Sequence, residues 1–226
     1  MLRLIDISKS FGGFRVLDSI SLEMKKEKLG ILGPNGAGKT TLFNIISGFL
    51  KPDAGKILFQ ERSVLGKKPS ELAKLGIIRT FQMIKVFENM SVEENILTVS
   101  DDLSVLQDFD LEARRKELAK NLSQGELRRL SIAMAFAKKP KLLLLDEPFS
   151  GLSRREAEKI MGVIQDIGRN GTSIAIVEHR MRELLSTVDR VVVLNSGKLI
   201  FDGNPEDVLE DKAVREAYFG SKYVKG

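Results

Sequence analysis

The stretch Gly33-Pro34-Asn35-Gly36-Ala37-Gly38-Lys39-Thr40 decides the fold because of what flanks it. Ahead of it runs the compact apolar segment Leu29-Gly30-Ile31-Leu32, which reads as a buried strand. Behind it, Leu42, Ile45, Ile46 and Phe49 recur at helical spacing across Thr40 to Phe49. A G-x-x-x-x-G-K-[ST] turn between a buried strand and an amphipathic helix is a phosphate-binding loop. Residues with no side chain or a small one let backbone N–H groups wrap a β-phosphate, and the helix N-terminus adds about half a positive charge. The predicted nucleotide set is Gly33, Asn35, Gly36, Ala37, Gly38, Lys39, Thr40 and Thr41. Lys39 would bridge the β- and γ-phosphates, and the Thr40 hydroxyl would ligate Mg²⁺.

Further along, Leu142 to Leu145 form a second buried strand that ends in Asp146-Glu147-Pro148. Two carboxylates at a strand end beside a phosphate loop suit divided work. A hard cation takes oxygen ligands, so Asp146 would join the Mg²⁺ shell and Glu147 would be free to act on water. Read alone, the same residues could simply cap a helix.

Composition narrows the class. The 226 residues fit one globular domain, and 42% apolar with 30% charged residues suits a soluble, ordered chain. No run reaches the roughly 18 apolar residues of a spanning helix, and the N-terminus alternates like a strand rather than like a signal peptide. A cytoplasmic protein is expected. With no cysteine and one histidine, any metal must be held by oxygen. A net charge of +5 from 36 basic and 31 acidic residues is mild and has no like-charge block, so nucleic acid is not an expected partner.

Around these motifs, strands are expected at Leu2 to Ile7, Val16 to Met24, Lys56 to Phe59 and Ile77 to Phe81. Others follow at Lys141 to Leu145, Thr172 to Val177, Arg190 to Leu194 and Lys198 to Phe201. From Gln82 to about Lys139 the strand pattern stops. Ser91-Val92-Glu93-Glu94 and Ser123-Gln124-Gly125-Glu126 there have the Ser-x-x-Glu spacing that opens helices, as does Ser153-Arg154-Arg155-Glu156 after it. The expected organisation is a single domain over 1–226, with an α/β core of 1–82 and 140–226 and a helical subdomain at about 83–139.

Leu122-Ser123-Gln124-Gly125-Glu126 resembles the signature motif of ABC ATPases. With Gln82 before the helical stretch, Asp146-Glu147 after it and His179 beyond the next strand, the chain is similar to that family over nearly its whole length. The resemblance implies a P-loop NTPase core of ABC ATPase type, with an N-terminal antiparallel β subdomain and the inserted helical subdomain. It implies ATP and Mg²⁺ as cofactors and a head-to-tail dimer, the loop of one chain facing Ser123 and Gly125 of a second ATP-binding subunit. By the same resemblance Gln82 touches the Mg²⁺ and attacking-water region, and His179 is the switch histidine near the γ-phosphate, joining Glu147 as catalytic residues. Phe11 stands where similar ATPases stack an aromatic on adenine. A core phenylalanine is the other reading, and Phe14 is a neighbouring candidate. Many family members carry aspartate where this chain has Ser153.

The segments Gly76 to Gln82, Val177-Glu178-His179-Arg180, Gly203 to Val208 and Glu216 to Gly220 look like those of ATP-binding subunits from branched-chain amino-acid importers. This implies transmembrane permease subunits, indirectly an extracytoplasmic solute-binding protein, and a peripheral place on the cytoplasmic face of the cell membrane. A soluble ABC ATPase of macromolecular assembly, such as iron–sulfur cluster biogenesis, is the alternative.

Overall fold

A computed structural model describes residues 1–219 of the chain. The elements run β1 (Leu2–Phe11), β2 (Phe14–Met24), β3 (Lys28–Leu32), α1 (Lys39–Ile46), β4 (Ala54–Phe59), β5 (Arg62–Ser63), α2 (Pro69–Leu75), β6 (Ile77–Arg79) and α3 (Val92–Leu97). Then come α4 (Val105–Asp108), α5 (Gln124–Phe136), β7 (Leu142–Asp146), α6 (Arg154–Arg169), β8 (Ser173–Val177), α7 (Met181–Leu185), β9 (Arg190–Asn195), β10 (Lys198–Gly203) and α8 (Lys212–Phe219).

Two sheets result. The first, in order β2-β1-β4-β5, is antiparallel. The second, in order β10-β9-β3-β8-β7-β6, is parallel apart from its β10 edge. Parallel strands are buried on both faces, and this explains the uninterrupted leucines of β7. Leu143 and Leu145 enter the core shared with α5 and α6, whereas Leu142 and Leu144 enter the core shared with α1 and the antiparallel sheet. Ile174 and Ile176 of β8, and Val191 and Val193 of β9, join Leu143 and Leu145. Ala175, Val177, Val192 and Leu194 take the opposite face. A one-residue slip in any of these strands would exchange the two sets.

Among the described residues, 83–139 add no strand to either sheet. They are not a run of long helices: α3 and α4 are a turn or two each, the 3₁₀ turns Glu112–Arg114 and Ala119–Asn121 lead from α4 to α5, and Ser91 makes one isolated bridge to Leu118. The three Ser-x-x-Glu sequences all form reciprocal caps, with Ser91, Ser123 and Ser153 each exchanging bonds with the glutamate three residues on. Such a cap stabilises a helix start by about 0.5–2 kcal/mol.

Several boundaries differ from the sequence reading: β1 runs on to Phe11 rather than Ile7, β2 starts at Phe14 rather than Val16 and β4 at Ala54 rather than Lys56, and two further differences lie near the site. Helix α1 ends at Ile46, three residues before Phe49, where Ser47 turns its hydroxyl onto the Phe43 carbonyl and Gly48 adopts a left-handed φ of 75°. Strand β6 ends at Arg79 rather than Phe81, because the chain leaves β7 after the Thr80 N–H donates to the Leu144 carbonyl.

Candidate functional site

Strands β3, β7 and β8 are parallel neighbours, so the residues after their C-terminal ends gather on one edge of the sheet, the usual ligand position in open α/β sheets. From β3 comes the phosphate loop. Its glycines are required there: a Cβ on Gly33 would lie 2.3 Å from the Leu194 carbonyl oxygen, and one on Gly38 would lie 2.7 Å from Leu17 Cδ2. Gly38 also has φ 104°, a left-handed conformation that costs side-chain-bearing residues energy. Helix α1 begins with no side-chain cap, which leaves its first N–H groups for an anion. Asn35, Gly36 and Thr40 are exposed on this loop, whereas Ala37 is buried beneath it. The Lys39 ammonium donates to the carbonyls of Gly33 (2.6 Å) and Pro34 (3.0 Å), lying over the loop. Burial holds its pKa below the ordinary lysine value, and the Glu147 carboxylate opposes that shift.

From β7 come Asp146, 6% exposed, and Glu147, which is partly accessible. Glu147 has a left-handed φ of 48° although it is not glycine. Its N–H donates to the Val177 carbonyl, so β8 holds the turn in place. Backbone of this kind costs about 1–3 kcal/mol and concentrates at functional sites. The Gln82 amide donates to Glu147 Oε2 at 2.8 Å, and His179 Nδ1 stands 3.6 Å from the same oxygen. Three residues expected to act together, from positions 82, 147 and 179, thus meet on one carboxylate oxygen. His179 is itself placed by Glu178, which is fully buried and accepts backbone N–H bonds from Phe149, His179 and Arg180. Burial raises the Glu178 pKa, and those three bonds oppose the rise.

The oxygen donors fit a hard cation. Asp146, the Thr40 hydroxyl and the Gln82 side-chain carbonyl are of the type Mg²⁺ takes, and no cluster of three or more His, Cys, Asp or Glu occurs among the described residues. Such a cation would depend on nucleotide phosphates to complete its shell.

Sequence reading missed three further residues. Arg79 pairs with Asp146, Nη2 to Oδ2 at 2.7 Å. Arg128, on the helix that follows Ser123, donates to the Gln82 carbonyl at 2.9 Å and ties the signature helix to the glutamine segment. Glu156 packs on Gly125, its Oε1 only 2.6 Å from where a Cβ on that glycine would stand. Ser123 is exposed, and it lines with Gly125, Arg129, Arg155 and Lys159 a largely basic cleft of about 340 Å³. Ser123 and Gly125 lie apart from the phosphate-loop cluster in sequence and share no hydrogen bond with it. Phe11 is 49% exposed at the end of β1 opposite Phe14, itself 71% exposed, so neither is a core phenylalanine.

A phosphate loop opposed by a carboxylate, an amide and an imidazole defines a nucleotide-hydrolysing P-loop protein. The ABC transporter family matches residues 17–150, and the family described as branched-chain amino acid ATP-binding cassette transporter matches 198–224. A probable ABC transporter ATP-binding protein of Azorhizobium caulinodans is 35% identical over 96% of this chain and 82% of its own length. The high-affinity branched-chain amino acid transport ATP-binding protein LivG of Salmonella typhimurium is 32% identical, over 93% and 94%. The lipopolysaccharide export system ATP-binding protein LptB of Escherichia coli is 34% identical, over 96% of each chain. The crystal structure of an ABC transporter cassette in its ADP conformation superposes with a TM-score of 0.89 at 31% identity, over 98% of this chain and 99% of that one.

The chain belongs to the ABC transporter family of ATPases. It is the ATP-binding, ATP-hydrolysing subunit of an ABC transporter, and the transporter reading stands over that of a soluble assembly ATPase. No helix among the described residues is long and apolar enough to cross a membrane.

Proposed function

We propose that this subunit hydrolyses ATP at a site shared between two chains and so drives uptake of a small solute, of the branched-chain amino acid class, through separate permease subunits. The observation that carries the hydrolytic part is the meeting of Gln82 and His179 on Glu147 Oε2 at the edge that holds the phosphate loop. Lys39 and the loop amides bind the phosphates, with Thr41 in the first turn of α1 behind them. Thr40, Asp146 and Gln82 hold Mg²⁺, which when bound neutralises phosphate charge. Glu147 orients and polarises the attacking water, Gln82 fixes that carboxylate, and His179 reaches the γ-phosphate. Phe11, exposed on the antiparallel sheet, offers a face for adenine.

Ser123 and Gly125 act on nucleotide held by a second subunit, identical or a sister chain. Ser123→Arg should therefore leave nucleotide binding by the single chain unchanged while hydrolysis falls to background. Concentration-independent ATPase activity in that variant would contradict the shared site.

The likeness of residues 198–224 to branched-chain amino acid cassettes supports the direction and solute class; the final tail position, Gly220, lies outside the described residues. The relative named for lipopolysaccharide export favours a second reading, export of a lipid-linked glycan. Residues 83–139 form the lobe that meets the permease, and the subunit sits peripherally at the cytoplasmic face, with a solute-binding protein on the far side. Extraction in mild detergent with the chain as bait decides between the two. Multispanning permeases together with ATP-stimulated uptake of leucine or valine into vesicles are expected; lipopolysaccharide-stimulated ATPase activity without amino-acid uptake would overturn the importer reading.

A further inference from the structure

Arg79 is a charge at the end of an otherwise apolar strand, and its surroundings form a built site. Its side chain is 5% exposed, and the side chain of its partner Asp146 is 8% exposed. Nη1 donates to Asn44 Oδ1 (2.7 Å) and Ser47 Oγ (2.9 Å), both at the far end of the helix that follows the phosphate loop. Nη2 donates to Asp146 Oδ2 (2.7 Å). The rings of Phe43, Phe49 and Phe81 lie 5.6, 6.0 and 5.3 Å from the guanidinium carbon, and Nε is buried with no hydrogen-bond partner among the described residues. The cation is thus pinned by rings and by a rigid planar fork, so it cannot swing away to solvent as an exposed arginine would.

We propose that Arg79 is a permanent counter-cation for Asp146 that limits how strongly the site couples nucleotide to a divalent metal. This rests on Asp146 being the metal-binding carboxylate. A carboxylate already sharing its charge with a buried guanidinium presents a weaker field to a second cation, and at low effective dielectric that difference is not screened away. Arg79 is then a positioning residue: it acts through Asp146, holding that carboxylate in place while moderating its grip on the metal. A moderated grip favours release of metal-bound ADP after each turnover.

The measurable quantity is the metal gain, the ratio of ADP dissociation constants by calorimetry in EDTA and in Mg²⁺. For Arg79→Gln, which keeps a neutral donor toward Asp146, the gain should rise at least about tenfold over the wild type. Arg79→Lys, which restores the charge, should return it to near the wild-type value. Arg79→Met, whose flexible thioether suits the ring cage, serves as the neutral variant if glutamine melts below the assay temperature. Asp146→Asn separates the two layers. It should lower the gain, and in its background Arg79→Gln should have no further effect. A gain unchanged or reduced in the folded neutral Arg79 variants, with Asp146→Asn still lowering it, overturns the counter-cation; a gain untouched by Asp146→Asn overturns the metal assignment on which it stands.

Discussion

Lys39→Ala is expected to abolish Mg·ATP binding at concentrations that saturate the wild type. The ammonium that now donates to Gly33 and Pro34 carbonyls is the closest fixed cation to the loop, and no other lysine or arginine lies within the loop sequence. Two charge-assisted hydrogen bonds to phosphate, each worth about 1.5–3 kcal/mol, put the expected loss at two to four orders of magnitude. Truncation also leaves the Gly33 and Pro34 carbonyls without their donor, the first of them in a buried bond. Calorimetry with ATP, beside a thermal melt, separates lost binding from lost structure. Unchanged affinity would remove the loop from nucleotide binding.

Glu147→Gln is expected to lower turnover by at least about a hundredfold, the usual scale of a general base, while ATP still binds. Phosphoryl transfer asks the protein for an in-line nucleophile and charge stabilisation more than for covalent help. Glutamine keeps the shape of Glu147 and its place beside Gln82 and His179 but cannot accept a proton. Binding persists because Lys39, Thr40, Asp146 and the loop amides are untouched, and removal of a negative charge near the γ-phosphate favours it. Steady-state phosphate release in the variant checks the first half and nucleotide titration the second. Near-normal turnover would take Glu147 out of the reaction.

Much of this site is written in short local patterns. The phosphate loop, the Asp146-Glu147 strand end and the three serine–glutamate caps each depend on residues within eight positions of one another, so sequence spacing alone specifies them. The partners of Glu147 came from motif order, which resemblance supplies and periodicity cannot. What stayed hidden are the bonds that cross the fold. Arg79 meets Asp146 across 67 positions and Arg128 meets Gln82 across 46. Neither pairing leaves a local pattern, though an arginine closing Gly76-Ile77-Ile78 marks a charge whose burial demands a partner. The contact of Glu156 with Gly125 escaped for another reason: capping explains that glutamate fully, and nothing in the sequence shows that its second oxygen also covers the signature glycine.

The claim that one chain's loop and another's signature share the nucleotide is tested most directly by sedimentation velocity of Glu147→Gln, alone and combined with Ser123→Arg. The single variant is expected to be a monomer without nucleotide and a dimer with ATP. The double variant is expected to be a monomer that still binds ATP with unchanged affinity. A dimer that forms without ATP, or one that forms equally well when Ser123 is replaced by arginine, would contradict the shared site.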